Sequence, residues 1–222
     1  MVYMSRCSFR CPFCHNRQLV LGEDLETIPE EQVLQTLSSR QGFIDGVVIT
    51  GGEPTLSGNL HVLINSIKAL GFPVKLDTNG YNPGVLKKLI DSGTVDYIAM
   101  DIKTTWHKYN LATGLDVDTN RLMESVSLIK KSGVEYEFRT TCVPTIIDGE
   151  DIEAISRLVG HSSRYTLQQF QPENTLDSAY EQIAPYPASV LKAFLEIARQ
   201  NTAPCRLIGI QQEIDINDEN RK

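Results

Sequence analysis

Residues Asp45–Pro54 read DGVVITGGEP, a β-branched apolar run that stops at two glycines and a glutamate. So short a run, closed by glycine, is the pattern of a parallel strand whose two faces are both covered. Folds built on parallel strands bind ligands at the carboxyl ends of those strands. Gly51, Gly52 and Glu53 stand at such an end.

The same unit repeats on both sides of this stretch. Downstream, Leu60–Leu70 reads as a helix stopped by Gly71, and Phe72–Thr78 as the next strand. Helix Asn82–Ser92, strand Val95–Asp101, helix Thr119–Ser132, strand Tyr136–Val143, helix Glu150–Gly160, strand Tyr165–Phe170 and helix Ala188–Gln200 complete the series. Upstream, Val2–Arg6 is a short first strand. Pro29–Ser39 is a helix with Pro29 in its first turn and Val33, Leu34 and Leu37 on one face.

Strands alternating with helices imply a parallel sheet covered by helices. A full eight-unit barrel takes about 250 residues. Six units in 222 residues therefore predict an α/β fold of partial, open (β/α)6 TIM-like barrel form. A doubly wound sheet is the rival, because periodicity does not give strand order. One domain is expected over residues 1–212, with a polar C-terminal tail at 213–222.

Composition narrows the function classes. Hydrophobic residues make up 41% and charged residues 22%, which suits a chain with a core rather than a disordered one. The net charge of −7 argues against nucleic acid, whose binders neutralise phosphate with a basic face. A small molecule or a protein partner is the expected target. No apolar run approaches the roughly 20 residues that span a bilayer, and Met1–Ser8 lacks the features of a secretory signal. A cytoplasmic location is expected.

The chemically unusual residues fall where strands end. They are Cys7–Cys14 after the first strand, Gly51–Pro54 after the second, Asp77-Thr78-Asn79-Gly80 after the third and Asp101-Ile102-Lys103 at the fourth. Arg139-Thr140-Thr141 lies in the fifth strand. Asp101 and Lys103, two apart, share one face.

Five cysteines are present, and three of them form Cys7-x3-Cys11-x2-Cys14, followed by His15-Asn16. Cys142 and Cys205 stand apart and read as small buried residues. An odd count without a secretory signal argues against a disulfide framework. Thiolates suit zinc or an iron–sulfur cubane. With His15 the triad makes a four-ligand zinc set; without it, three sulfurs hold a cubane and leave one iron open. Spacing alone leaves both readings.

The run Cys7-Ser-Phe-Arg-Cys11-Pro-Phe-Cys14, with Phe13 before its last cysteine, resembles the signature of the radical S-adenosylmethionine (SAM) superfamily. Gly51-Gly52-Glu53-Pro54 is similar to that superfamily's second motif. His15-Asn16, Asp77–Gly80, Asp101–Lys103, Arg139–Thr141 with Val143-Pro144, and Leu167–Phe170 resemble the activating proteins of glycyl-radical enzymes. The likeness is strongest to those of anaerobic (class III) ribonucleoside-triphosphate reductase. It spans residues 5 to about 210. Six residues precede Cys7, fewer than such proteins carry, so the first strand is expected to be short.

The resemblance implies one [4Fe–4S] cluster on Cys7, Cys11 and Cys14, and SAM as second cofactor. Phe13, Cys14, His15, Gly51, Gly52, Glu53, Asp77, Asn79, Asp101, Lys103, Arg139 and Gln169 would line the cofactor site. Within it, Phe13 would pack beside the cluster and His15 would fix the loop. Glu53 would meet SAM's amino group, Asp77 and Asn79 its ribose or methionine portion, and Lys103 its carboxylate, oriented by Asp101. No side-chain acid or base is required by the implied chemistry, reductive SAM cleavage followed by hydrogen abstraction from a glycine of the partner enzyme. The implied electron donor is a flavodoxin or ferredoxin, with Arg6, Arg10 and Arg17 as candidate docking charges. Trp106 and Tyr109, in the loop after the fourth strand, read equally as partner-facing or as packing residues. Two alternatives remain: a superfamily member that modifies a small molecule or nucleoside, and a non-catalytic zinc-binding protein.

Overall fold

A computed structural model of the chain describes residues 1–22, 25–161 and 164–210; the expected tail lies outside the described residues. Among them are eight α-helices, α1 (Arg17–Leu21), α2 (Glu30–Ser38), α3 (Leu60–Ala69), α4 (Pro83–Asp91), α5 (Tyr109–Thr113), α6 (Thr119–Lys131), α7 (Gly149–Val159) and α8 (Ala188–Arg199), and seven strands, β1 (Val2–Met4), β2 (Val47–Gly51), β3 (Val74–Thr78), β4 (Tyr97–Asp101), β5 (Glu135–Cys142), β6 (Tyr165–Gln169) and β7 (Cys205–Ile208). The strands form one sheet in the order β1-β2-β3-β4-β5-β6-β7. Strand order that follows chain order has no reversal, and a reversal is what defines a doubly wound sheet. The order is that of a partial (β/α) barrel. Each expected strand is found to within two residues at either end.

The seventh strand is a correction to the expected six. CRLI is four residues long with an arginine inside, too short and mixed to announce a period. It is a strand because it pairs in parallel with β6, Tyr165 beside Cys205 and Leu167 beside Leu207.

The chain divides into two compact units, the first comprising residues 1–8, 18–99 and 120–135. In it β1 pairs with β2 (Val2 beside Ile49, Met4 beside Gly51), and β2 with β3 (Val47 beside Val74, Ile49 beside Leu76), all parallel. Val47, Ile49, Val74 and Leu76 are buried together with Leu60, Ile64 and Ile67 of α3 (Leu60–Ala69) and Leu86 and Leu89 of α4 (Pro83–Asp91). The alternate positions Val48, Thr50, Lys75 and Asp77 are only half-buried. Both faces of β2 were expected to be covered. One face is covered, and the other is half-buried, with Val48 beside the polar Thr50, Lys75 and Asp77.

The second unit comprises residues 9–17, 100–119 and the described part of 136–222. Here β5, β6 and β7 pair in parallel, with Arg139 beside Thr166 and Thr166 beside Arg206. Phe138, Thr140, Cys142, Tyr165, Leu167 and Leu207 form the apolar face. They are buried with Ile152, Ile155 and Val159 of α7 (Gly149–Val159) and Leu191, Leu195 and Ala198 of α8 (Ala188–Arg199). The opposite face holds Glu137, Arg139, Thr141, Thr166, Gln168 and Arg206. Helix α7 starts at a capping box in which Asp148 and Asp151 each accept the other's backbone N–H at 3.0 Å. Pro29 caps the helix Glu30–Ser38 from outside instead of entering its first turn, its ψ of 141° being extended.

Candidate active site

Cys7 and the ends of β2 and β3 lie in the first unit. The chain leaves β1 through Arg6, a non-glycine residue at φ 69°, and this turn aims it into the cysteine loop. Arg6 is held on both sides, its N–H donating to the Leu19 carbonyl at 2.6 Å and its carbonyl accepting from the Glu53 N–H at 2.8 Å. The Gly52 N–H donates to the Met4 carbonyl at 2.8 Å. A Cβ on Gly52 would overlap the Arg6 carbonyl oxygen, and one on Gly51, at φ 118°, would overlap the Met4 carbonyl oxygen. These glycines were expected to admit a ligand, and the backbone leading to Cys7 also approaches them closely.

Glu53 is 1% exposed, and its hydrogen-bond partners are protein groups. Its Oε1 accepts from the Thr55 N–H at 3.1 Å, the Thr55 hydroxyl at 2.5 Å and the Thr78 hydroxyl at 2.8 Å. Its Oε2 accepts from the Asn79 N–H at 2.7 Å. Burial pushes this carboxyl above its ordinary range, against the hydrogen bonds from Asn79, Thr55 and Thr78. Glu53, expected to meet a cofactor amine, clamps the end of β3 onto the GGEP turn through these bonds. Asn79, 5% exposed, carries the clamp onward: its Nδ2 donates to the Ser8 hydroxyl at 2.9 Å and to Cys7 Sγ at 3.7 Å. Asp77 is linked to Thr50 at 3.4 Å and to Lys75 at 3.8 Å.

Cys11, Phe13, Cys14, His15 and the ends of β4, β5 and β6 lie in the second unit or at its boundary. The Cys14 N–H donates to the Cys11 carbonyl at 3.0 Å, a tight turn inside the motif. The Arg10 N–H donates to the Thr113 carbonyl at 2.8 Å, which seats this part of the loop on the end of α5 (Tyr109–Thr113). The Asp177 N–H donates to the Pro12 carbonyl at 2.9 Å, and Tyr180 lies 6.4 Å from the Phe13 ring. Phe13 is buried, as its expected packing role requires, whereas His15 is exposed.

Asp101 lies between two cations. Its Oδ1 accepts from Arg139 Nε and its Oδ2 from Lys103 Nζ, both at 2.8 Å. Burial alone would push the Asp101 carboxyl up, but Arg139 and then Lys103 hold it well below the usual carboxylate range. Burial would likewise lower Lys103. The charges of Asp101 and then of Cys11 reverse this and hold the ammonium firmly protonated. Two cations against one carboxylate leave a net positive site beside Cys11. Tyr109 is fully buried, its hydroxyl accepting from the Lys103 N–H at 3.2 Å. It supports this strand end and does not face a partner; Trp106 is half-buried 5.4 Å from its ring.

Gln169 does not share a face with Arg139. It pairs with Cys142 on the helix-facing side, and its Nε2 donates to the Tyr186 carbonyl at 2.8 Å. Gln168 shares the face of Arg139 and Thr141, 3.5 Å from the Thr141 hydroxyl. The period-two rule applied along Thr166–Gln168 would have selected it. No local pattern marks a second polar set on that face, where Glu137, 1% exposed, accepts from Thr166 at 2.9 Å and pairs with Arg206 at 3.6 Å.

All five cysteines are free thiols. Cys142 and Cys205 are buried at 0% and 8% exposure, as expected of core residues. Among the described residues no three His, Cys, Asp or Glu side chains stand close enough to share one metal ion. In a three-cysteine cubane each sulfur takes its own iron.

Comparison with known proteins places this site in context. The family model described as the radical SAM superfamily matches residues 1–160. A protein of Methanocaldococcus jannaschii, provisionally named a glycyl-radical enzyme activating enzyme, is 34% identical over 205 residues, 90% of this chain and 84% of that one. The pyruvate formate-lyase-activating enzyme of Clostridium pasteurianum is 24% identical over 191 residues, 82% of this chain and 79% of its own. Among solved structures, Streptococcus suis SuiB bound to S-adenosylmethionine superposes with a TM-score of 0.72 at 18% identity. That match covers 95% of this chain but only 50% of SuiB, so it shows the fold alone.

Proposed function

Because the chain belongs to the radical SAM superfamily, whose members use a [4Fe–4S] cluster and SAM, we propose that it activates a glycyl-radical enzyme. The observation that carries this reading is the 34% identity, over 84% of its length, to a relative provisionally named for that activity. The partner we propose is an anaerobic ribonucleoside-triphosphate reductase, on the motif resemblance drawn from residues 5 to about 210.

The donor chemistry fits both cofactors. Cys7, Cys11 and Cys14 would hold the cluster as thiolates, and two of them already have compensation for negative charge. Cys7 has the Asn79 amide, and Cys11 has the charge of Lys103. The net positive set of Lys103, Arg139 and Asp101 suits the carboxylate of an amino-acid moiety, with Gln168 and Thr141 further along the same face. When bound, the two cofactors would supply one-electron radical chemistry directed at a C–H bond of the partner's glycine. The protein's part is placement and charge. Asp101 holds the two cations in register, Glu53 holds β3 against the GGEP turn, and Phe13 with Tyr180 covers one side of the cysteine loop. An acidic flavodoxin or ferredoxin is proposed as electron donor, received by Arg6, Arg10 and Arg17, each of which is exposed.

The test is anaerobic. Protein reconstituted with iron and sulfide should cleave SAM under a strong reductant. Mixed with the partner reductase, it should generate a glycyl radical visible by electron paramagnetic resonance. SAM cleavage without a partner radical would move the reading to a small-molecule substrate. A colourless protein holding zinc would remove it altogether.

A further inference from the structure

We infer that Asn79 is a positioning residue for the cluster: its side-chain amide donates an N–H···S hydrogen bond to Cys7 and raises the cluster's reduction potential. The inference rests on the cluster reading above. Asn79 was expected at the ribose or methionine portion of SAM, and its side-chain amide lies against Cys7.

The orientation of an asparagine amide is normally an assignment made from its neighbours. Here the neighbours leave one choice. The Tyr81 backbone N–H lies 2.9 Å from one side-chain atom, and a donor must face an acceptor, so that atom is Oδ1. Nδ2 is then the atom 2.9 Å from the Ser8 hydroxyl and 3.7 Å from Cys7 Sγ. The side chain cannot swing away. Its residue is pinned by its own N–H to Glu53 at 2.7 Å, while its neighbour Thr78 is pinned to the same carboxylate at 2.8 Å. Glu53, from a motif 26 residues upstream, therefore holds an amide donor against the first cluster cysteine.

Reduction adds negative charge that the cysteine sulfurs share. A hydrogen bond to such a sulfur stabilises the reduced form more than the oxidised one, and hydrogen bonds of this kind are among the factors that set cluster potentials. The donor is buried and held fixed by protein, so no reorganisation is needed when the electron arrives.

The wild-type protein tests the premise first: anaerobic reconstitution must yield a [4Fe–4S] complement of iron and sulfide. Failure there sinks the proposed function, and this inference with it. Given a loaded wild type, the readout is the midpoint potential of SAM-free holoenzyme, taken by dye-mediated redox titration followed by paramagnetic resonance. Asn79→Ala removes the donor but keeps the backbone N–H on Glu53. Reduction should become about tenfold less favourable, a downward shift of about 59 mV for a one-electron couple. Asn79→Asp keeps an acceptor for Tyr81 and puts a carboxylate where the donor was, so its potential should fall further. Whichever variant holds a cluster decides the matter, and a wild-type midpoint overturns the inference. Loss of the cluster from both variants overturns it too, since Asn79 would then be a structural prop and not a tuning donor.

Discussion

Gly52→Ala tests the claim that the second motif glycine exists for the chain's own backbone. The added Cβ would sit far inside the 3.0 Å limit that real Cβ atoms keep, and the atom it meets is the Arg6 carbonyl oxygen, which is backbone and cannot rotate aside. Either Arg6 or Gly52 must move. Two hydrogen bonds of 2.8 Å, Gly52 N–H to Met4 and Glu53 N–H to Arg6, lie across that contact and go with the movement. At about 0.5–1.5 kcal/mol each they account for roughly 1–3 kcal/mol. Overpacking adds about 1–3 kcal/mol, for a total of roughly 2–6 kcal/mol. Most domains have only about 5–15 kcal/mol in all. Urea unfolding of the metal-free protein should show the loss as a lower midpoint at unchanged slope. Because Arg6 adjoins Cys7, the iron retained after reconstitution should also fall. Gly84→Ala is the matched control. Gly84 lies in α4 with nothing within 4 Å of an added Cβ, and the helix should gain about 0.5–1 kcal/mol. A Gly52→Ala protein with the wild-type urea midpoint would refute the reasoning.

Three further outcomes follow from the same geometry. Asp101→Asn leaves Lys103 and Arg139 without their shared carboxylate and should cost roughly 3 kcal/mol at neutral pH by chemical denaturation. Since the folded-state pKa of Asp101 is depressed, that contribution is present above the ordinary carboxylate value of 3.8 and is lost as pH falls through the lower folded value. The difference between wild type and variant should therefore stay flat from about pH 5 to 8 and shrink in more acid solution; a difference that grew on acidification would contradict the pairing. Gln169→Ala should lower stability by about 1 kcal/mol through its lost bond to Tyr186. Gln168→Ala should instead weaken SAM binding with little effect on the unfolding midpoint, and the reverse pattern would restore the original choice of Gln169. Burial pushes the Cys142 thiol up to about 12, so it should resist alkylation at pH 8 in the folded protein, and Cys142→Ala should keep the full iron content of the wild type.

The strands and long helices were legible because each is a short apolar run or a one-sided stripe, closed by glycine or introduced by proline. Those signals are local, and so is their cause. β7 was not legible because CRLI becomes a strand only by pairing with β6, which lies some forty residues earlier in the chain. The half-covered face of β2 and β3 escaped for a related reason. Val48, Thr50 and Lys75 look like ordinary strand residues until the sheet gives one face a polar lining.

The candidate site divides along the same line. Residue type and strand-end position identified Cys7, Glu53, Asn79, Asp101 and Lys103, but not what each of them touches. A buried carboxylate needs donors, and the donors of Glu53 come from Thr55, Thr78 and Asn79, two of them on another strand end. Reading the motif as a ligand list assigns Glu53 to a cofactor amine, whereas electrostatics requires first that its own charge be satisfied inside the protein. Once it is satisfied, the group aimed at Cys7 is the Asn79 amide. An acidic side chain in that place would repel the thiolate, while an amide attracts it, so the motif's charge has to be kept one residue back from the sulfur.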